Sequence, residues 1–310
     1  MRFICQMKKT WLPLFIIVLL GAIWGSSFIL IKRGLLAFEP IQVAGLRQFL
    51  AGVVLLPWIF QYSRVSVGAA TTMVAPLTRR DYINLFLSGL IGNGIPAFLF
   101  SYAGSLIPSG LSGIMNAFTP MFTLVLGVMF FGENLSKNGL IGVVAGVLGA
   151  IILMAPGFLF DPQARIHPMG AIMVFSAAAM YGFNINLIKH RLSHLPAMAK
   201  TAYPFFFMGF LYLWVLLGTG VQNAWVKNSA QAWESFGFLL ILGVVGSAVS
   251  MIIFNYLIKY TTALVASTNT FIIPVVAVIW GLYDNEPLTW NMFLGLFLSL
   301  AGIYLIMKKE

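Results

Sequence analysis

Long apolar runs alternate with short polar connections along the whole of this chain. Crossing hydrocarbon takes roughly 20 apolar residues as a helix. Runs of that kind can be read at 11–31, 41–61, 82–103, 109–131, 138–156, 169–188, 199–219, 235–257, 261–283 and 290–307. They predict ten membrane-spanning helices. A membrane barrel would instead need period-2 alternation over about 10 residues, and the sequence shows none. Lipid offers no partner to backbone N–H and C=O groups, so helices are the remaining choice. The expected fold class is an all-α integral membrane protein.

The pattern is written twice. Residues 85–154 and 238–307 run in step: Tyr102, Pro120, Glu133, Gly142, Gly149 and Met154 answer to Tyr256, Pro274, Glu286, Gly295, Gly302 and Met307. Earlier, Trp24-Gly25 and Lys32 answer to Tyr181-Gly182 and Lys189. An odd number of crossings per copy forces the second copy upside down. The chain therefore reads as a single transmembrane domain, 1–310, built from two inverted five-helix repeats at 11–156 and 168–310. Inverted repeats recur in secondary transporters, whose substrate sites lie near mid-membrane between the halves.

Composition agrees: 60% apolar residues, 8% charged residues and a mean hydropathy of +0.94 exclude a soluble globule. The net charge of +10 raises the question of a nucleic-acid partner, but its distribution answers it. With the N-terminus in the cytoplasm, Arg2, Lys8, Lys9, Arg64, Arg79, Arg80, Lys137, Lys189, Arg191, Lys200, Lys259, Lys308 and Lys309 fall inside. Only Lys32, Arg33, Arg165 and Lys227 fall outside. This positive-inside bias puts both termini in the cytoplasm, and the basic residues report topology rather than nucleic acid. The basic start followed by an apolar run resembles a secretory signal, yet the run is too long and no small-x-small cleavage site follows. The single Cys5 excludes an intramolecular disulfide and offers no metal cluster. Residues 156–168 read as a short outer loop, 63–80 as the longest inner loop, and 220–234, with Trp225 and Trp233, as an interfacial stretch or a plain loop.

Candidate chemistry concentrates in paired polar positions. In the fourth predicted span Ser109, Ser112, Asn116, Thr119 and Thr123 recur at spacings of 3 and 4, one face of a helix. For the hydroxyls, helix packing is the favoured reading; Asn116, with a larger hydrogen-bonding capacity, is a candidate cavity residue. Asn116 corresponds to Thr270, Asn93 to Ser247, Ser27 to Asn184, and Trp24 to Tyr181. A polar set repeated in both halves is what a shared wet pocket would need. Trp24, Ser27, Asn93, Asn116, Tyr181, Asn184, Ser247 and Thr270 are the expected substrate-binding residues, suited to a small amphipathic solute. Pro120 and Pro274, also paired, are expected hinge or kink positions.

Arg47 is the one strong charge well inside a predicted span. Structural anchoring is the favoured reading, with a substrate carboxylate as its alternative. Glu133 and Glu286 precede the fifth and tenth spans and read as caps on those helices. Gly139, Gly142, Gly146 and Gly149, echoed by Gly295, Ser299 and Gly302, form faces for close helix packing within or between subunits, consistent with a monomer or weak homodimer. Enzyme chemistry finds little support. His190 and His194 have Arg191 where a zinc protease needs Glu, no acidic pair sits in the membrane for magnesium, and no P-loop is present. No cofactor or metal is expected.

The run Gly21-Ala22-Ile23-Trp24-Gly25-Ser26-Ser27-Phe28 resembles the start of the EamA family of the drug/metabolite transporter superfamily. So do Leu46-Arg47-Gln48-Phe49-Leu50-Ala51-Gly52 with Leu55-Leu56-Pro57, then Pro120 and Gly132-Glu133. The second repeat departs from the pattern, with Asn285 where Gly precedes Glu. The resemblance covers essentially the whole chain. It implies ten helices in two inverted repeats, cytoplasmic termini and a central cavity lined mainly by the first, third, fourth, sixth, eighth and ninth helices. It also implies export of amino acids and related metabolites, or transport of drugs, nucleotide sugars or sugar phosphates. The expectation is a secondary carrier in the bacterial inner membrane, exporting a small neutral or zwitterionic metabolite, amino acids foremost, by alternating access. A polyanion carrier would want several core cations, and Arg47 stands alone. A proton-driven carrier would bury a carboxylate or histidine along its path, so facilitated diffusion or exchange is the favoured coupling.

Overall fold

A computed structural model describes residues 2–68, 77–154, 167–260, 269–287 and 289–307. The expected outer loop at 156–166, part of the inner loop at 69–76, the start of the ninth span at 261–268 and Lys308 and Lys309 lie outside the described residues.

The described residues form helices joined by short connections, with no strand among them. We number its elements α1 (Arg2–Gly34), α2 (Pro40–Gly68), α3 (Arg79–Gly89, a π-helical turn Leu90–Gly94, then Ile95–Gly104) and α4 (Ser109–Asn116 and Thr119–Phe131). There follow α5 (Lys137–Met154), α6 (Pro168–Arg191), α7 (Ala197–Gly218), the short α8 (Asn223–Lys227) and α9 (Ser229–Gly243, a π-helical turn Val244–Val249, then Ser250–Tyr260). The last two are α10 (Asn269–Tyr283) and α11 (Trp290–Met307). Eight of these helices are long and apolar enough to cross a membrane; the apolar stretches Lys137–Leu153 and Asn269–Tyr283, at the fifth and ninth predicted spans, are shorter. Large apolar side chains such as Phe15, Phe60, Phe130, Trp214 and Phe297 are exposed on the outside, as on a surface made for lipid.

Local chemistry sets the helix ends. At the start of α3, the Thr78 hydroxyl accepts from the Asp81 N–H and the Asp81 carboxylate accepts from the Thr78 N–H, a reciprocal capping box. α4 stops at Gly132, whose φ of 71° needs a residue free of Cβ strain. The equivalent position in the second half is Asn285, with φ 54°. Asn tolerates the left-handed region better than most residues, so the turn that Gly makes in one half is made by Asn in the other.

Packing joins matching elements of the two halves. α5 and α11 meet backbone to backbone: a Cβ on Gly142 would lie 2.5 Å from the Gly302 carbonyl, and one on Gly149 would lie 2.9 Å from that of Gly295. The earlier glycine of α5 faces the later glycine of α11, so these two helices run antiparallel. α2 and α7 do the same, with Gly45 against Leu216 and Gly52 against the Phe205 carbonyl. α1 packs on α10, and α6 packs on the second half of α4. The buried core between α1, α4, α6 and α10 includes Phe28, Leu111, Ile114, Met115, Ala177 and Ile273. The expected glycine faces are therefore used within one chain.

Replacing Gly142 or Gly302 with Leu forces side-chain atoms into the opposite backbone, at a cost of at least about 1–3 kcal/mol. Thermal unfolding of the purified variants should show it. Gly237, which has open space around it, should accept Ala within about 0.5 kcal/mol. Equal effects at the two places would contradict the packing.

Candidate functional site

α3 starts near Asp81 and ends near Gly104, and α4 returns from Ser109 to Phe131, so these two helices define two ends of the molecule. At the first end Lys32 of α1 donates to Glu286 at 2.7 Å and lies 2.6 Å from Asp284, and Arg33 also pairs with Asp284. The Glu286 carboxylate accepts the backbone N–H groups of Ser109 at 2.8 Å and Gly110 at 2.9 Å. Glu286 is a cap, but on α4 rather than on its own following helix, because α4 brings two free N–H groups to it. Burial pushes its carboxyl upward, and the bonds from Lys32, Gly110 and Ser109 outweigh this and hold it below the usual range.

At the other end the equivalent residues make the equivalent contact. Lys189 of α6 pairs with Glu133, and His190 lies 2.8 Å from the same carboxylate oxygen. Glu133 thus ties α6 to the loop after α4 and shows no cap on α5 among the described contacts. Each repeat's first helix reaches the loop after the other repeat's fourth helix. His194 lies 2.9 Å from Asp81, so the two histidines of the expected basic stretch engage different carboxylates.

Between the ends lie the paired polar residues. Asn93 and Ser247, equivalent by sequence, both fall in π-helical turns, Leu90–Gly94 of α3 and Val244–Val249 of α9. Such turns misalign the helix ladder and gather at functional sites. The Ser247 hydroxyl donates to the Leu242 carbonyl at 3.1 Å and accepts from Arg47 Nε at 2.9 Å. The Trp24 indole donates to the Ser250 hydroxyl at 3.0 Å, and Ser250 donates to the Gly246 carbonyl at 2.8 Å. Ser27 is buried and bonds back to Ile23, on the side of α1 that faces Gly246. Tyr181 stacks on Phe100 at 5.7 Å.

Asn184 of α6 lies against the other π turn: a Cβ on Gly92 would meet its Nδ2 at 2.0 Å. Its Oδ1 is sealed and has no partner among the described residues. Gln48 Nε2 donates to the Asn93 carbonyl at 3.3 Å, and Gln48 Oε1 is likewise sealed and unpartnered. Trp24, Ser27 and Ser247 therefore gather around one π turn with Arg47, and Asn93 and Asn184 around the other. Asn116 and Thr270 sit on α4 and α10, which pack together.

α4 carries the sharpest departure from expectation. It is not one helix: Ala117 and Phe118 interrupt it directly after Asn116. Pro120, the second residue of the new segment, has no N–H to continue the ladder. The Thr119 hydroxyl donates to the Asn116 carbonyl at 2.8 Å, and Ser112 and Thr123 bond back within their own helix. These three hydroxyls therefore serve carbonyls of their own stretch of chain, where the expectation was packing between helices. Pro274, by contrast, lies inside a continuous stretch of α10.

Sequence reasoning passed over Ser250, Gln48 and Phe100. Ser250 stands one turn beyond Ser247, and Gln48 is a buried amide inside an apolar span, signals that were available.

Two stretches, residues 11–155 and 168–308, match the model of the EamA-like transporter family, and the chain belongs to that family. It is 26% identical over 271 residues to an uncharacterized inner membrane transporter, YedA, of Escherichia coli K12, covering 87% of this chain and 82% of that one. It is 24% identical to an uncharacterized transporter of Archaeoglobus fulgidus, covering 97% of this chain and all of the other (100%). It is 27% identical to a protein of E. coli K12 described as a probable amino-acid metabolite efflux pump, covering 93% and 92%. A solved protein structure shares the fold with a TM-score of 0.57 at 15% identity, covering 96% of each chain. The chain is thus a membrane-embedded transporter of the EamA type, and its family implies a small-molecule substrate.

The bonds from Lys189 and His190 hold the Glu133 carboxyl below its usual range. A depressed carboxyl contributes stability above its unfolded value and loses it as pH falls through the folded one. The unfolding midpoint should therefore drop on acidification below about pH 4.3, and Glu133→Gln should flatten that part of the curve. An identical acid slope in the variant would contradict the pairing.

Proposed function

We propose that this chain is a bacterial inner-membrane secondary carrier that exports small neutral or zwitterionic metabolites, amino acids foremost. It works by alternating access between two inverted five-helix repeats, with ten crossings and both termini cytoplasmic. The observation that carries this reading is the reciprocal closure of the two ends. Lys32 with Glu286 and Lys189 with Glu133 are the same contact made twice, once per end. The antiparallel run of α5 against α11 supports the inversion, since these are the last helices of the two repeats. The two closures are unequal: the Glu286 side chain is 2% exposed and that of Glu133 is 31% exposed. In the proposed orientation the outer end is the firmly shut one. Opening it requires Glu286 to leave Lys32 and the α4 N–H groups, and the break in α4 at Pro120 lets its first segment move with them.

Amino acids come foremost because one relative is described as a probable amino-acid metabolite efflux pump and because the paired site residues are neutral hydrogen-bonding groups and aromatic rings. Facilitated diffusion or exchange is the coupling we assign. Purified protein in proteoliposomes loaded with an amino-acid mixture should release members of it. Asn184→Ala and Asn116→Ala should each slow release about five- to tenfold, the worth of one buried hydrogen bond. Unchanged kinetics in both would remove these residues from the site.

A further inference from the structure

We propose that Arg47 selects the solute, by pairing its guanidinium with a carboxylate that the solute carries. This rests on the carrier reading of the same site and names what that site recognises. Arg47 is half-buried on α2, with Ser247 of α9 against its Nε. Its Nε–H is held by the Ser247 hydroxyl, whose own proton is committed to the Leu242 carbonyl. Ser247 therefore can only accept, and the stem is fixed by the π turn beneath it.

The remaining N–H groups, on Nη1 and Nη2, have no partner among the described residues, and neither nitrogen is among the sealed atoms. They therefore keep accessible surface. No carboxylate among the described residues pairs with Arg47, although Lys32, Arg33 and Lys189 all find one. A permanent charge at this depth, with its fork free and its stem pinned, is built to receive a planar two-oxygen anion. A snorkelling or anchoring arginine would direct its head group outward or spend it on carbonyls.

One isolated cation matches one negative charge, which favours a carboxylate over a phosphate ester. Trp24, bonded to Ser250 one turn from Ser247, adds an aromatic wall on the Arg47 side.

The test compares acids with their carboxamides, which keep size and amine but lose the anion. Purified full-length protein is exposed to leucine, threonine and phenylalanine and to the corresponding amides. Binding is read by thermal stabilisation and transport by counterflow in proteoliposomes. The acids should act at concentrations about tenfold or more below the amides. Arg47→Gln should erase that preference, and Arg47→Lys, which keeps the charge without the fork, should retain part of it. Amides as effective as acids on the unaltered protein would overturn the assignment, as would failure of all three acids to stabilise it. Full preference persisting in Arg47→Gln would overturn it too. Should that variant not fold, the acid–amide comparison on the unaltered protein still decides. Binding preference without any counterflow would sustain the role of Arg47 and refute the carrier reading instead.

Discussion

Hydrocarbon offers no hydrogen-bond partner, and this one constraint organises the molecule. A broken helix, a helix start or a charged side chain can exist at depth only where the protein itself supplies the partner. The interruption of α4 shows how: Pro120 removes a donor, the Asn116 carbonyl loses its helical bond, and the Thr119 hydroxyl takes its place. The start of α4 shows it again, since two N–H groups that would otherwise be orphaned converge on Glu286 from the far half of the chain. Polar groups of one half are thus completed by the other.

Function follows from where those completions fall. The ion pairs lie at the two ends of the bundle, and the π turns of α3 and α9 lie between them. A π turn leaves carbonyls and side chains out of step with the helix, and one such turn holds Ser247 against Arg47 while the other lies against Asn184. Under the proposed carrier cycle, these contacts, equivalent by sequence but unequal in exposure, would open one at a time.

Much of this was legible in the sequence. The duplication located Lys32, Lys189, Glu133 and Glu286, and the matched polar positions led to both π turns. What sequence could not supply was who answers whom. Glu286 read as a cap on its following helix because adjacency along the chain is all that periodicity reports; the partner helix, α4, is 176 residues away. Arg47 read as an anchor with a substrate carboxylate as the alternative, because a lone charge in a sequence gives no sign of whether its head group is satisfied. Asn285 looked like a departure from the Gly-Glu turn, yet its φ of 54° makes the turn after all. The break in α4 was foreshadowed by Pro120, but a proline alone does not separate a break from a kink, as the continuous helix around Pro274 shows.

The most direct test of the account is a pair of distance distributions measured by pulsed electron paramagnetic resonance in a Cys5-free background. Spin labels at Ser105 and Tyr283 report the Glu286 end, and labels at Leu135 and Arg191 report the Glu133 end; all four positions are exposed. Reciprocal closure predicts opposed changes: conditions that lengthen one distance shorten the other. Two ends that stay shut under every condition, or that widen together, would contradict it.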